Sequence, residues 1–515
     1  MNDGGLRIPR INSWECQFHM PSRAPMPLLQ RLKIVIARRR LTSLKVEGTA
    51  NPLEEWIHNK MRKEFKGSRE FRGSIGREEL GEISRQDVRE FQLHRLRLLM
   101  AYTIENSYYY KKKFQEAGVR PEDIRTWDDL EKIPMTDPAD LAAEPLKFLC
   151  VSQSKVMRAF TTSGTSGTRK RLFYTQDDVL NIIDSIAAAL KSVGMTGEDT
   201  LQIMFPAVSA WDPGLMLDGA CKVAGMSSVV CSAADIDDQM RTMRENGTTL
   251  MIGLTSFLYR ITVLAKDQYD LRALGMKSII CSAEPLPEAM RREMQAAWGC
   301  KVLSHFGMTE MGLATSIECE AADGLHINDA DFLAEVIDPV TGKHLPDRQQ
   351  GELVFTSLSM QGTPLIRYRT HDISFTIEPP CHCDFRTIGR MGKVQGRMDA
   401  QTKIGYGQKI YPVLFDEALL SIPGVIGYRL LLDRDGYRDR LTFRVEYKGD
   451  PEAGRKKMFD ALVSLDELKD ALENDLILPP VIELVVAGSV AFAPKNKVIE
   501  DHRGGYDAPA EAKTS

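Results

Sequence analysis

Four short apolar runs, spaced so that a helix fits between most of them, constrain this chain more than any other feature. Thr200 to Met204 (TLQIM), Ser227 to Cys231 (SSVVC), Thr249 to Ile252 (TLMI) and Ser278 to Cys281 (SIIC) read as buried strands. Helical candidates such as Asp177 to Ser192 and Glu288 to Trp298 flank them. The second has Pro287 near its start and Gly299 after its end, the expected start and stop signals. Strands that alternate with helices in this way predict a mostly parallel sheet covered by helices.

At 515 residues the chain is too long for one ordinary core, so two or more domains are expected. After residue 330 the strands come closer together, as in Phe332 to Ile337 and Glu352 to Ser357. That spacing predicts an antiparallel or barrel-like subdomain. Past Asp399 the pattern changes again. Arg429 to Leu432, the turn Asp435-Gly436 and Leu441 to Tyr447 read as a hairpin, followed by a helix near Glu467 to Glu473 and a strand at Val481 to Val486. Before the sheet, Gln86 to Ala117 reads as one helical stretch closed by Gly118. The fold class expected is therefore α/β: a large N-terminal domain of parallel sheet and helices with the antiparallel subdomain, and a small mobile α+β C-terminal domain. The expected boundaries are an N-terminal extension over 1–85, the large domain over 86–398 and the small domain over 399–515.

Hydrophobic residues make up 43% and charged residues 27%, which suits a globular protein with a large core. A net charge of −4 does not suggest a dedicated nucleic-acid binder. Residues 1–100 hold 20 Lys and Arg against 12 Asp and Glu. Within them Leu28 to Leu41 (LLQRLKIVIARRRL) reads either as an interfacial helix or as an amphipathic helix packed on the main domain. No apolar run approaches the roughly 20 residues that span a bilayer. The region of Trp14, Cys16 and His19 lacks an apolar signal core, so a cytoplasmic location is expected. Nine scattered cysteines argue for reduced thiols, some of them on metal, rather than a disulfide framework. The oligomeric state is left open, a homodimer included.

The strongest local signal is Phe160 to Lys170 (FTTSGTSGTRK). Glycines let a backbone turn tightly and bring N–H groups to a phosphate, hydroxyl side chains add hydrogen bonds, and the two cations behind add countercharge. The spacing is not that of a Walker A loop. Alone, the segment also reads as a polar surface turn. It is followed in order by Ser282-Ala283-Glu284-Pro285, His305-Phe306-Gly307-Met308-Thr309-Glu310, Tyr368-Arg369-Thr370-His371-Asp372 and Gly396-Arg397-Met398-Asp399. These segments fall at strand ends or at a domain boundary, where ligands bind α/β sheets.

From about Gln92 to Arg503 this ordered set resembles the adenylate-forming superfamily and, within it, the phenylacetate–CoA ligase-like branch. The resemblance implies ATP-dependent activation of a carboxylic acid, of aryl or arylacetic type, to an acyl-adenylate, then transfer to coenzyme A with release of AMP and pyrophosphate. It implies that Thr162, Ser163, Gly164, Thr165, Ser166, Gly167 and Thr168 cradle the β- and γ-phosphates of ATP. Thr309 would bind the α-phosphate and Glu310 a Mg²⁺ ion, with Gly307 and Met308 shaping that turn. Phe306 would pack near adenine or substrate, and Ala283, Glu284 and Pro285 would border adenine. Asp372 would accept from the ribose hydroxyls, assisted by Arg397. The catalytic lysine of such enzymes comes from the small domain; here Lys495 matches it, with Lys497 as runner-up, in a segment where Pro494 replaces the usual glycine. Asp399 matches the hinge about which the small domain swings for thioester formation. Lys403, Gly405 and Gly407 follow it, where pantetheine would pass, although Gly405 also reads as a plain hairpin turn.

Cys319 and His326, with Cys381 and Cys383, form a Cys₃His set suited to structural Zn²⁺, and some members of the same branch carry a similar pair of segments. His382 is the weaker candidate, since in an extended segment it points away from its neighbours. Phe205 to Gly214, Gly253 to Tyr259 and His305 are expected at the acyl pocket. Trp211 there suggests a large apolar acid or else a core residue. Two rival readings remain at this point: a superfamily enzyme that adenylates or acylates a larger cofactor or protein without CoA, and a non-catalytic nucleotide-binding protein.

Overall fold

The computed structural model describes residues 51–162, 169–205, 213–231, 235–398, 401–405, 407–487 and 498–503. The basic stretch 28–41, residues 163–168 of the glycine-rich loop, Trp211, Asp399, Lys495 and Lys497 lie outside the described residues. The chain begins with helices α1 (Pro52–Gly67), α2 (Arg69–Ile75), α3 (Arg85–Asn106), α4 (Tyr108–Ala117) and α5 (Pro138–Ala143). Then follow the hairpin β1 (Val156–Thr161) and β2 (Arg171–Thr175), α6 (Gln176–Ser192), β3 (Thr200–Met204), α7 (Pro213–Ala224), β4 (Ser227–Val230), α8 (Ile236–Asn246), β5 (Leu250–Leu254), α9 (Thr255–Ala265), β6 (Ser278–Ser282), α10 (Glu288–Trp298) and β7 (Lys301–Phe306).

Strands β4, β3, β5, β6 and β7 are parallel neighbours, in register at Ile203, Ile252, Ile280 and Leu303. All five residues of β5 and of β6 are buried. This is the sheet that the four apolar runs predict, and the crossover helices cover it as such connections require. It continues antiparallel through β8 (Ser316–Glu318), β9 (Leu325–Ile327), β14 (Arg390–Met391) and β13 (Thr376–Ile377), giving nine strands. The expected antiparallel subdomain is a four-stranded sheet of β10 (Phe332–Ile337), β11 (Gly351–Ser357), β12 (Tyr368–Ser374) and β15 (Gly396–Arg397), in that order. The C-terminal part has a small hairpin, β16 (Thr402–Ile404) and β17 (Gln408–Ile410), then α11 (Pro412–Leu420). Its sheet has the order β20 (Val481–Val486), β19 (Arg438–Tyr447), β18 (Val425–Asp435), β21 (Ile499–Asp501), with α12 (Pro451–Val463) and α13 (Asp466–Glu473) between β19 and β20.

Two features differ from the sequence reading. The single helix expected over 86–117 is two, because Ser107 takes an extended backbone and its hydroxyl accepts from Tyr110 N, capping α4. And residues 51–85, expected within an extension, pack into the large unit. In α1 the apolar residues Leu53, Trp56, Ile57, Met61 and Phe65 recur at helical spacing and are buried in the same core as Ile203 and Phe355. Polar contacts fix the helix as well: Glu54 accepts from Arg386 N and Thr387 N at 3.0 and 2.6 Å, and Lys60 pairs with Asp331 at 2.6 Å.

A second core joins α8, α9 and α10 to the C-terminal sheet, with Leu258, Met294, Phe415 and Phe443 all buried in it. Across this seam Tyr259 Oη donates to Val425 O at 3.0 Å, Arg260 pairs with Glu446, and Lys448 pairs with Asp267. Glu417 of α11 accepts from Glu288 N and, at 3.2 Å, from Ala289 N. It thereby caps the N-terminus of α10, whose own N-cap residue Pro287 makes no side-chain bond.

Candidate active site

A cavity of about 1420 Å³ opens where the ends of β5, β6 and β7 face β12, β15 and the C-terminal sheet. Thr162, Ala283, Glu284, Pro285, Phe306, Gly307, Met308, Thr309, Glu310, Asp372 and Arg397 all line it. The fold thus brings together residues spread over more than 200 positions.

The neck of the glycine-rich loop is closed by two bonds, Thr162 N to Lys170 O at 3.0 Å and Lys170 N to Thr162 Oγ1 at 3.1 Å. Lys170 then turns inward. Its Nζ lies 2.9 Å from Glu310 Oε1 and donates to Tyr368 Oη at 3.0 Å, while Tyr368 Oη donates to Glu310 Oε1 at 3.1 Å. The Lys170 and Glu310 side chains are only 11% and 7% exposed, so the pair is largely dry. Tyr174 Oη donates to Thr309 O and holds the next turn. Gly307 is obligatory there, because a Cβ would lie 1.9 Å from Leu313 O. Three residues with side chains take left-handed backbone close to the cavity: Ala283 at φ 65°, Leu313 at φ 72° and His371 at φ 63°. Such conformations cost about 1–3 kcal/mol each and gather at ligand sites.

Asp372 is 8% exposed and stands opposite Arg397 in the β12–β15 ladder, with Arg397 Nε 3.8 Å from Asp372 Oδ1. Glu284 does more than border the cavity: its Oε2 accepts from Ser256 N at 2.8 Å, capping α9, and its carbonyl accepts from Thr255 Oγ1 at 3.1 Å. Phe306 stacks on Phe355 with ring centroids 6.1 Å apart. His305 bonds Ser282 Oγ through Nδ1 at 2.9 Å, and burial pushes its pKa down to about 4.

Away from this polar mouth the cavity is apolar, lined by Ile186, Ala189, Leu217, Ile252 and Ile280. Of the segments expected at the acyl pocket, Phe205, Pro213, Leu254 to Ser256 and His305 line it; residues 206–212 lie outside the described residues. Tyr259 instead points to Val425 across the seam.

The small unit supplies a further wall through Pro412, Asp416, Tyr428, Arg429 and Glu500. Burial pushes the Asp416 carboxyl up to about 7, against the Tyr428 hydroxyl, which donates to it at 2.8 Å. The sequence motifs include neither residue; they present Lys170 only as one of two loop cations that add countercharge, and Tyr368 without a role. Lys403 and Gly407 do not line the cavity. They sit in the β16–β17 hairpin, which Gln408 ties to Asp470 of α13 and Gly405 N ties to Asp439 at 2.9 Å.

Cys319, His326, Cys381 and Cys383 converge at the far end of the nine-stranded sheet, their ligand atoms all within 4.8 Å of one another. Cys319 Sγ lies 3.7 Å from Cys381 Sγ, and Cys383 Sγ lies 3.3 Å from His326 Nε2. A tetrahedral zinc with bonds of about 2.3 Å to sulfur and about 2.0 Å to nitrogen requires S···S near 3.8 Å and S···N near 3.5 Å. The residues fit the ion. His382, next to both cysteines, is not part of the cluster.

The AMP-binding enzyme family model matches residues 113–361. The phenylacetate-coenzyme A ligase of Aromatoleum evansii is 31% identical over 406 residues, 78% of this chain and 88% of that protein. The phenylacetate-coenzyme A ligase of Thermus thermophilus is 31% identical over 404 residues, 77% of this chain and 90% of that protein. A crystal structure of 2-hydroxyisobutyryl-CoA ligase in the postadenylation state superposes with a TM-score of 0.72 at 22% identity, covering 81% of this chain and 90% of that one. At 31% identity the similarity runs over most of both chains: this chain belongs to the phenylacetate–coenzyme A ligase family of AMP-binding, adenylate-forming enzymes.

Proposed function

We propose that the chain activates an arylacetic acid with ATP and passes the acyl group to coenzyme A. The reaction class, an AMP-forming acid–thiol ligase, follows from family membership. One observation carries the substrate class: a single cavity joins a charged mouth to an apolar inner end, as an acid with a carboxylate at one end and a hydrocarbon body requires.

In the first half-reaction the substrate carboxylate attacks the α-phosphorus of ATP and pyrophosphate leaves. Thr309 would donate to the α-phosphate, residues 162–168 would hold the outer phosphates, and Asp372 would accept from the ribose hydroxyls with Arg397 alongside. Glu310 would hold Mg²⁺, which supplies countercharge to the phosphates when bound; a buried carboxylate at the mouth suits that hard ion. Lys495 would reach the site from the small domain. In the second half-reaction the thiolate of coenzyme A attacks the acyl carbon and AMP leaves. The position of Lys403 and Gly407 outside the cavity supports a rotation of the small domain, about Asp399, between the two. The Cys₃His cluster would hold one structural zinc, bracing the β8–β9 turn against the segment before β14. Reduced thiols and a need for ATP and coenzyme A fit a cytoplasmic site of action.

The test is a panel of carboxylic acids read for both pyrophosphate release and thioester mass. Thioesters from arylacetic acids are expected. Pyrophosphate release without any thioester would refute the reading and favour transfer to another acceptor.

A further inference from the structure

Two oxygens in the cavity wall have no hydrogen-bond partner among the described residues: Thr315 Oγ1 and Asn328 Oδ1. Both residues line the cavity, and they are 0% and 3% exposed. They are neighbours, because Asn328 N donates to Thr315 O at 2.9 Å. The amide of Asn328 cannot turn to hide its oxygen. Its Nδ2 donates to Asp331 Oδ2 at 2.9 Å, and Asp331 is itself held by Lys60 at 2.6 Å and by Asn181 Nδ2 at 3.0 Å. Ile280, Ile317, Leu325 and Met391 line the same cavity, together with the polar Ser304, His305 and Ser316.

Buried polar atoms are nearly always paired, and an orphaned one weakens the structure that contains it. A network that ends in an acceptor with no donor, beside a hydroxyl with neither, is one hydroxyl group short. We infer that Thr315 and Asn328 are specificity-determining residues that bind a hydroxyl group on the acid, so that the preferred substrate is a hydroxylated aryl acid rather than the unsubstituted one. The substrate O–H donates to Asn328 Oδ1, and its oxygen accepts from the Thr315 hydroxyl. This rests on the proposed acid–CoA ligase reading and deepens it. The carboxylate has to lie at Thr309 for adenylation, so the ring extends along the β7–β8 side, where His305 pairs with Ile317 and Phe306 with Ser316. A site built to bond a hydroxyl rejects the analogue that lacks it far more strongly than an apolar pocket rejects an extra one.

The experiment compares kcat/KM for phenylacetic acid and its three monohydroxylated isomers, with ATP and coenzyme A, in the wild type, Thr315→Val and Thr315→Ser. In the wild type one isomer is expected to exceed phenylacetic acid on the order of 10- to 100-fold. Thr315→Val should bring that ratio down by a similar factor, and Thr315→Ser, which keeps the hydroxyl, should restore it. If Thr315→Val fails to fold, the wild-type ratio and Thr315→Ser still decide. A wild type that uses phenylacetic acid as well as every hydroxylated isomer overturns the inference, leaving thioester formation and the ligase reading intact. If no acid yields a thioester, both fall together.

Discussion

The Lys170–Glu310 pair allows a stability prediction that does not depend on substrate. Lys170→Met keeps the length of the side chain but removes the ammonium. Among the described residues Glu310 then keeps the Tyr368 hydroxyl, at 3.1 Å on the same oxygen that Lys170 had bonded at 2.9 Å. Breaking one partner out of a buried ion pair costs about 3–5 kcal/mol, because the remaining charge stays desolvated. The large unit has about 350 residues, and unfolding entropy is roughly 2.1 cal/mol/K per residue, or about 0.7 kcal/mol/K in all. The melting transition of that unit should therefore fall by about 4–7 °C. Lys170→Met combined with Glu310→Gln should recover most of the loss, since a carboxamide can still accept from Tyr368 and carries no charge to strand. The four proteins of this cycle would be compared by scanning calorimetry in the absence of ATP and Mg²⁺. A single-variant loss below about 1 kcal/mol, or a double variant no better than Lys170→Met, refutes the claim that the pair is dry and mutually dependent.

Metal analysis of protein purified without chelator should find about one zinc per chain, and Cys383→Ser should lose most of it; a metal-free wild type rejects the site. His305 should make stability depend on pH. Its pKa falls from 6.5 to about 4 on folding, so the unfolded state binds the extra proton. Stability is then full above pH 6.5 and lost by about 3 kcal/mol as pH falls toward 4. Chemical denaturation across that range should show a shallower slope in His305→Gln, and an equal slope excludes His305 as the source. Asp416 works in the opposite sense, rising from 3.8 to about 7. The stability it contributes is full below 3.8 and lost as pH rises through about 7. Ionised Asp416 would repel Glu417 beside it on α11 and Glu284 across the seam, so X-ray scattering should report a more open particle above about pH 7. Asp416→Asn should abolish that change, and its persistence in the variant rejects Asp416 as its origin.

Much of the fold is legible in the chain because its signals are local. The strands from Thr200 to Ser282 announce themselves by apolar content, and α10 by Pro287 and Gly299. The cavity mouth is legible for a related reason: its motifs are short and sit at strand ends, so knowing the strands locates them. What is not legible depends on distant partners. Nothing around Glu284 indicates that its carboxylate caps α9, 28 positions earlier. Lys170 looks like one more loop cation until Tyr368, 198 residues away, is folded against it. Nothing near Glu54 and Lys60, within the expected extension, points to their partners: both bond buried groups more than 250 positions on. The break at Ser107 was readable from its capping chemistry but was masked by the continuous helical spacing on either side.

The seam between the two cores makes the cavity a vessel with one side built by a separate unit. Its floor and mouth belong to the large unit, while Pro412, Asp416, Tyr428, Arg429 and Glu500 close it from the small one. Because Glu417 caps α10, this side could not leave without stripping the helix of the cap that reaches it across the seam. Departure therefore carries an energetic toll paid at a point remote from the reacting atoms, and return is rewarded there. A reactive acid anhydride inside would be sheltered from water for as long as that distant contact holds.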